Sequence, residues 1–221
     1  MERVPEPELM DAPAQAEAYA LADFEDVNRA FVERFLERFP GFSRGRVLDL
    51  GCGPADICVR LARALPAVRV VALDGAEAML EEARHRLRAE SLQSRVELVQ
   101  ATLPRGLPEG PFDAVLSNSL LHHLHDPMVL WEAIARAARP GAPILVVDLF
   151  RPASPAAARA IVEAHAANER PILREDFYNS LLAAFTPEEV RALLDRAGLG
   201  HLTVRVVSER HLAVLGRALG A

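Results

Sequence analysis

The sequence has no lysine. All 25 of its basic residues are arginine, set against 31 aspartates and glutamates, and the net charge is −6 over 221 residues. An acidic chain without a long basic run lacks the footprint that grips a nucleic-acid backbone, so nucleic acid is not an expected partner. A local arginine pocket for a small anion is still open to it. Cysteine is nearly missing as well: Cys52 and Cys58 are the only two. That excludes a disulfide scaffold and a four-cysteine zinc site, and it fits a reducing, cytoplasmic setting. Long apolar runs are also lacking. Pro143-Ile144-Leu145-Val146-Val147 is far short of the ~20 residues that cross a bilayer, so no membrane span is expected. The opening Met1-Glu2-Arg3-Val4-Pro5-Glu6-Pro7-Glu8 has no apolar stretch of the secretory-signal kind.

What is present is globular. Hydrophobic residues are 51% and charged residues 25% of the chain, and a chain of this length can bury roughly 70% of its unfolded surface. Residues 1–11 are polar and proline-containing, and a flexible start is expected. Residues 12–40 read as an N-terminal helical cap, with Phe24, Val27, Phe31, Phe35 and Leu36 at three- and four-residue steps before Pro40-Gly41 stops it. Strands follow at Arg46–Leu50, Val68–Leu73, Val96–Val99, Phe112–Ser117 and Ile144–Leu149, alternating with helices. That alternation implies a parallel, doubly wound α/β sheet. After a helix that starts at Thr186-Pro187 and is capped by Gly198, Leu202–Val207 and Leu212–Leu215 form a hairpin pattern. The reading is one domain over residues 12–221, its sheet seven-stranded with an antiparallel terminal hairpin. Residues 151–185 are an insertion, mostly helical over Ala156–Asn168 and Asp176–Ala184, in the position of a lid.

The first strand runs into Asp49-Leu50-Gly51-Cys52-Gly53-Pro54-Ala55-Asp56. A dinucleotide loop wants a third glycine where Asp56 stands, and a carboxylate at that helix start would repel a pyrophosphate. Asp74, 23 residues after Gly51 at the end of the second strand, is placed to accept hydrogen bonds from both hydroxyls of a ribose. The pair suggests a nucleoside without phosphates.

Val47–Ala55 resembles the first motif of the class I S-adenosylmethionine-dependent methyltransferases, and Val71-Ala72-Leu73-Asp74 with Ala78-Met79 resembles the second. Phe112–Pro127 resembles the fourth-strand motif, and Arg139–Leu145 the entry into strand five. The nearest branch in appearance holds the ubiquinone/menaquinone C-methyltransferases and the carboxy-S-adenosylmethionine synthases. The resemblance implies a Rossmann-like fold, S-adenosylmethionine as cofactor and S-adenosylhomocysteine as product. It implies that Gly51 and Gly53 admit the methionine part, with Cys52 between them, and that Asp49 lies near its ammonium. Asp74 would hold the ribose, Gly75 and Met79 would line the adenine slot, and Asn118 would face the methionine part or the methyl. Two departures stand out. Ala55 replaces a glycine, and Ala101-Thr102-Leu103 replaces the usual Gly-Asp-Ala. Thr102, Leu103 or backbone groups must then meet the adenine.

His122, His123 and His125 lack the His-Glu-x-x-His pattern, and no metal is expected. His123 and Tyr178 are candidates for a general base or other catalytic group, because a reacting acceptor can need to lose a proton. For the acceptor, the insertion offers Arg151, Arg174 and Tyr178, with an arginine clamp for a carboxylate or phosphate. Tyr19, Phe24 and Asn28 would close the other side, with His122 at the fourth-strand turn. The expected activity is in-line methyl transfer to a small-molecule acceptor. Three alternatives stay open: carboxy-S-adenosylmethionine synthesis, tRNA or protein modification, and a non-catalytic cofactor-binding regulator. The apolar stripe of the N-terminal helix could pair two copies in a homodimer.

Overall fold

Period-two burial along the strands decides the architecture of this computed structural model, which describes residues 1–220. Five parallel strands, β1 (Arg44–Leu50), β2 (Ala67–Asp74), β3 (Val96–Gln100), β4 (Ala114–Asn118) and β5 (Pro143–Leu149), are joined by β6 (Thr203–Val206) and β7 (His211–Arg217). The order across the sheet is β3-β2-β1-β4-β5-β7-β6, with β7 antiparallel to both neighbours. The expected seven-stranded, doubly wound sheet with its terminal hairpin is the observed one. Val47, Val70, Ala72, Leu116 and Leu145 face one helical layer, and Leu48, Val71, Leu73, Val115 and Val146 face the other. Successive residues point to opposite faces, so the near-continuous apolar runs of these strands feed two cores at once.

The first layer is built by α2 (Glu25–Arg38), α3 (Asp56–Ala64) and α4 (Glu77–Ala89). Phe31 and Phe35 from α2 and Leu61 from α3 are fully buried there, each contributing about 1.5–3 kcal/mol by transfer from water. The stripe expected to pair two copies is thus used within the chain. α5 (Met128–Ala137) and α8 (Pro187–Arg196) build the second layer around Trp131, Ile134 and Leu194. α8 begins at a full capping box, Thr186 with Glu189, with Pro187 in its first turn.

Two expectations about the helices are corrected. The N-terminal cap is two helices, α1 (Pro13–Leu21) and α2. Asp23 Oδ1 accepts the N–H of Glu25 at 3.0 Å, a local turn that outcompetes helix continuation. In the insertion, α6 (Pro155–Ala166) is capped by Ser154, and α7 (Pro171–Ala183) starts at Pro171 rather than near residue 176. Proline tolerates a first helical turn because its missing N–H has no partner there anyway.

The first eleven residues differ most from expectation. Instead of fraying, they lie as a strap across the carboxyl edge of the sheet. Arg3 donates to the carbonyls of His122 and Leu124, both at 2.9 Å, and to that of Ala183. Its guanidinium sits 4.1 Å from the centre of the Phe185 ring. Val4 N–H donates to Leu182 O at 3.0 Å. A rigid fork that satisfies three carbonyls orders a segment whose composition alone would leave it loose.

Candidate functional site

The strand order reverses between β1 and β4, so their carboxyl ends diverge and leave a crevice. Register puts Leu50 beside Leu73 and Ser117, and Asn118 beside Val147. The glycine loop, Asp74 and the turn after Asn118 therefore meet on one edge. They enclose a cavity of about 320 Å³ lined by Asp49, Gly51, Cys52, Gly53, Asp74, Gly75, Met79, Thr102, Leu103 and Asn118.

Two glycines are required by contact. Gly51 has φ +73°, and a Cβ there would come within 2.9 Å of the Leu120 side chain; a Cβ on Gly75 would come within 2.8 Å of both Leu9 and Thr102. Backbone is thus bared to the cavity at both points. Ala55 is left-handed, φ +61°, the conformation that favours glycine and costs another residue about 1–2 kcal/mol. Ser119, also left-handed at φ +56°, follows the end of β4 at the cavity wall. Nothing in the sequence marks it.

Asp49, two residues after Val47, shares its face and so points to the α3 side, where the Cys58 thiol donates to it at 3.0 Å. Burial pushes the Asp49 carboxyl up to about 6, the Cys58 hydrogen bond partly offsets this, and the Asp74 charge adds to it. Among the described residues no cation is paired with it. Asp74 accepts the N–H groups of Gly53 at 2.8 Å and Ala76 at 2.9 Å. Burial raises its pKa, and those N–H donors pull the other way. The Cys52 thiol is pushed well up by burial, then by Asp74 and Asp49, which keeps it protonated and a wall rather than a nucleophile. Asp56 accepts from Arg60 at 2.5 Å, Arg86 at 2.6 Å and Asn28 at 2.9 Å. Its charge is therefore compensated. The case against a dinucleotide rests on the missing glycine rather than on bare repulsion.

A second, larger cavity of about 660 Å³ adjoins the first. Tyr19, Phe24, Asn28, Asn118, Ser119 and His123 line both. Tyr19 and Phe24 pack with ring centres 4.7 Å apart. Burial, with Asp74, holds the Tyr19 hydroxyl up to about 12, so it is neutral at physiological pH. The insertion contributes His165, Leu173, Asp176 and Phe177 to this chamber, and the strap contributes Glu6, Leu9 and Met10. The insertion thus lies on the glycine-loop edge.

His122 also lines the larger chamber, and its Nδ1 is 2.6 Å from Asp148. Burial lowers its proton affinity, but Asp148 and then Glu6 outweigh this and the net shift is upward. His123 is pushed well below the usual histidine range by burial and by His122. Glu6, drawn up by burial and eased by His122 and Ser180, faces both rings.

Three expected acceptor residues are placed elsewhere. Arg151 is buried beneath the strap, bonded to Ala184 O at 2.9 Å and Glu189 at 2.6 Å. It reaches inward to satisfy a helix end rather than outward to a ligand. Arg174 lies on the outer face of α7, paired with Glu163 of α6 at 2.7 Å. Tyr178 packs between the insertion helices, with the Arg159 guanidinium 4.6 Å above its ring, and lines neither cavity. The chamber takes its arginines from other elements: Arg34 of α2 and Arg210 of the β6–β7 turn. Among the described residues no carboxylate pairs with either. Burial lowers the Arg210 pKa, and beside it burial brings His211 down to about 4, so that ring is neutral.

Residues 47–141 match the family described as a methyltransferase domain. That match spans 95 of the 221 residues, less than half of the chain. It is 32% identical over 128 residues to a trans-aconitate 2-methyltransferase of Azoarcus, covering 58% of this chain and 48% of that protein. It is 28% identical over 189 residues to a 27-O-demethylrifamycin SV methyltransferase of Amycolatopsis mediterranei, covering 85% of this chain and 66% of that one. The chain therefore spans between about half and two thirds of the length of these relatives. The fold matches a SAM-dependent methyltransferase structure from Aquifex aeolicus with a TM-score of 0.68 at 19% identity, covering 94% of this chain and 99% of the other. The domain's fold is that of the S-adenosylmethionine-dependent methyltransferases.

Proposed function

We propose that this protein transfers a methyl group from S-adenosylmethionine to a small molecule that carries an acid group. The observation that carries the reading is the junction: Asn118, Ser119 and His123 line both cavities, so a group held in one can reach a group held in the other. In the smaller cavity, Asp49 offers a buried, unpaired carboxylate to the ammonium of the methionine part, and Asp74 offers two oxygens to ribose hydroxyls. Gly51 and Gly75 let the cofactor approach bare backbone. The cofactor supplies a sulfonium that already activates its methyl. The protein's task is to align donor and acceptor with water excluded. Tyr19, Phe24 and the strap wall off that space.

Arg34 and Arg210 at the other end of the chamber suit a carboxylate or phosphate on the acceptor. The Azoarcus relative is named for trans-aconitate, a small polycarboxylate, which agrees with that chemistry. Neither named relative is a quinone C-methyltransferase, so the acceptor class is inferred from the chamber rather than from that branch. The carboxy-S-adenosylmethionine synthase alternative needs an arginine beside the sulfonium, and the arginines of the smaller cavity, Arg60 and Arg86, are both held by Asp56. A cytoplasmic protein acting on a diffusible acid fits these features.

The test is calorimetry followed by an acceptor screen. S-adenosylhomocysteine should bind saturably and NAD should not. S-adenosylhomocysteine formation should then be stimulated by small carboxylic or phosphorylated acceptors and not by their neutral isosteres. Saturable NAD binding without a response to S-adenosylhomocysteine would sink the proposal. So would methyl incorporation into bulk tRNA or protein alone. Cofactor binding with no turnover on any acceptor class would favour the regulator.

A further inference from the structure

The turn after β4 and the strap bring together three ligating side chains that the sequence holds far apart. Glu6 Oε1 lies 3.6 Å from His122 Nε2 and 3.2 Å from His123 Nδ1. All three donor atoms lie within 4.8 Å of one another. Ligands at about 2.0–2.1 Å in a tetrahedral zinc site stand about 3.3–3.4 Å apart, and both measured separations bracket that edge. The Nδ1 of His123 is buried and has no hydrogen-bond partner, although Glu6 Oε1 lies 3.2 Å away, off the direction a hydrogen bond would take. A buried ring nitrogen in this state is an open coordination valence in search of an occupant. His122 is prepared in the manner of a metal ligand. Its Nδ1 is held 2.6 Å from Asp148 Oδ1, and Asp148 is itself fixed by the Leu121 N–H at 2.7 Å. That leaves Nε2 as the ligating atom, oriented by a carboxylate behind the ring.

We propose that Glu6, His122 and His123 bind a divalent transition-metal ion of the zinc type, with an open fourth position facing the acceptor chamber. A two-histidine, one-glutamate set with a free position is the donor pattern of zinc sites that hold substrate rather than structure. All three residues line the larger cavity, and His123 also lines the smaller one. The ion therefore sits beside the passage through which the methyl must move. The inference rests on the reading that the larger cavity holds the acceptor, and it deepens that reading by naming how the reacting group is held. An acceptor hydroxyl or carboxyl oxygen fills the fourth position. A bound hydroxyl is acidified by the ion and releases its proton to solvent water. The carbon–sulfur bond then breaks as the carbon–oxygen bond forms, and the electron pair stays on sulfur as neutral S-adenosylhomocysteine departs. The acceptor class that follows is an oxygen acid whose second anionic group reaches Arg34 and Arg210.

The experiment is equilibrium dialysis of the full chain against zinc at micromolar free concentration, read by elemental analysis. The Co²⁺ form is examined in parallel for the absorption bands of a tetrahedral site. One zinc per chain is expected. Affinity should fall at least tenfold in Glu6→Gln and in His123→Ala and stay unchanged in Arg174→Ala. His123→Gln serves as a second variant if the alanine melts early. Substoichiometric zinc in the wild type, or equal binding in wild type and all variants, overturns the proposal. S-adenosylhomocysteine affinity is measured on the same samples. Retained cofactor binding without zinc overturns the metal site alone, whereas loss of cofactor binding overturns the functional reading beneath it. Full turnover in a chelator-treated enzyme shown to be metal-free also refutes the assignment.

Discussion

Replacing Asp49 by asparagine should make the unliganded protein more stable and the liganded one less so. Asp49 is 2% exposed, and its pKa rises from the ordinary 3.8 to about 6, first through burial, with the Cys58 hydrogen bond opposing and Asp74 adding. At about 1.36 kcal/mol per unit, holding it ionised costs the fold about 3 kcal/mol. An asparagine amide avoids that charge but has only the Cys58 sulfur nearby, which returns about 1–2 kcal/mol of unsatisfied polar cost. The net gain at pH 7.5 is about 1–2 kcal/mol, which for a domain of this size is a rise in Tm of roughly 2–8 °C.

The pH dependence fixes the cause. A carboxyl whose folded pKa lies above its unfolded one gives stability that is full below pH 4 and lost as pH climbs through about 6. The advantage of Asp49→Asn should therefore be present at pH 7.5 and vanish by about pH 5, where wild-type Asp49 is already protonated. Binding should move the other way. Calorimetry at pH 7.5 should find S-adenosylhomocysteine at least tenfold weaker, a loss of about 1.4 kcal/mol or more, because the ammonium has lost its buried counter-charge. Melting curves with and without ligand, from pH 5 to 8, measure both effects. A variant that melts lower at every pH refutes the buried-charge argument. One that binds S-adenosylhomocysteine like the parent shows that Asp49 does not face the ammonium.

Asp74→Ala should weaken S-adenosylhomocysteine by about 1.5–3 kcal/mol, the scale of hydrogen bonds to a charged acceptor. Circular dichroism should show the fold intact, and unchanged affinity would remove Asp74 from the ribose. Arg34→Ala and Arg210→Ala should raise KM for an acidic acceptor about tenfold or more while leaving cofactor affinity within a few-fold, whereas Arg174→Ala should change neither. Equal effects from all three would undo the placement of the anion. Gly51→Ala forces a Cβ to within 2.9 Å of Leu120 at φ +73° and should cost about 1–3 kcal/mol of stability by urea denaturation. Phe35→Ala, at a fully buried site under the sheet, should cost about 3–5 kcal/mol with no change in m-value.

The sheet was legible because its signals are local. The strands are short apolar runs, the first two ending at Gly51 and at Asp74-Gly75, and the alternation with helices fixes parallel pairing. The cofactor edge was legible for the same reason: Gly51, Asp74 and Asn118 all stand at strand ends, and topology gathers strand ends. The acceptor side was not. Arg151 and Arg174 lie in the insertion and by position suit an acceptor, but a side chain's direction depends on packing that no spacing reveals. Arg151 turned inward to Glu189, and Arg174 outward to Glu163. Arg34 and Arg210 belong to elements remote in sequence, one at each end of the chain. Glu6 was invisible for a sharper reason. It sits in a stretch whose composition argues for disorder, and long-range partners hold it against the histidines: Arg3 on three carbonyls, Val4 N–H on Leu182 O, and the Ser180 hydroxyl on Glu6 itself.

The two cavities also differ in which charged groups lack a partner, and this bears on rate. The smaller offers Asp49 and Asp74, while its arginines are already engaged by Asp56. The larger offers Arg34 and Arg210 without carboxylate partners among the described residues. On the proposed reading, a cationic donor sits beside Asp49 and Asp74, and the anionic group of the acceptor meets Arg34 and Arg210, in a chamber that also carries Asp26, Glu169 and Asp176. Methyl transfer from a sulfonium to an anionic oxygen destroys both charges. Water, which solvates separated charges well, stabilises those reactants more than the transition state in which their charge is fading. A walled chamber removes that preference and leaves the charges held by fixed groups instead. The strap is then more than a tether. Leu9 and Met10 line both cavities, so displacing them would readmit water at the place where the charges meet. Deleting residues 1–11 should accordingly reduce kcat far more than it weakens S-adenosylhomocysteine. Equal losses in both would place the strap in cofactor binding alone.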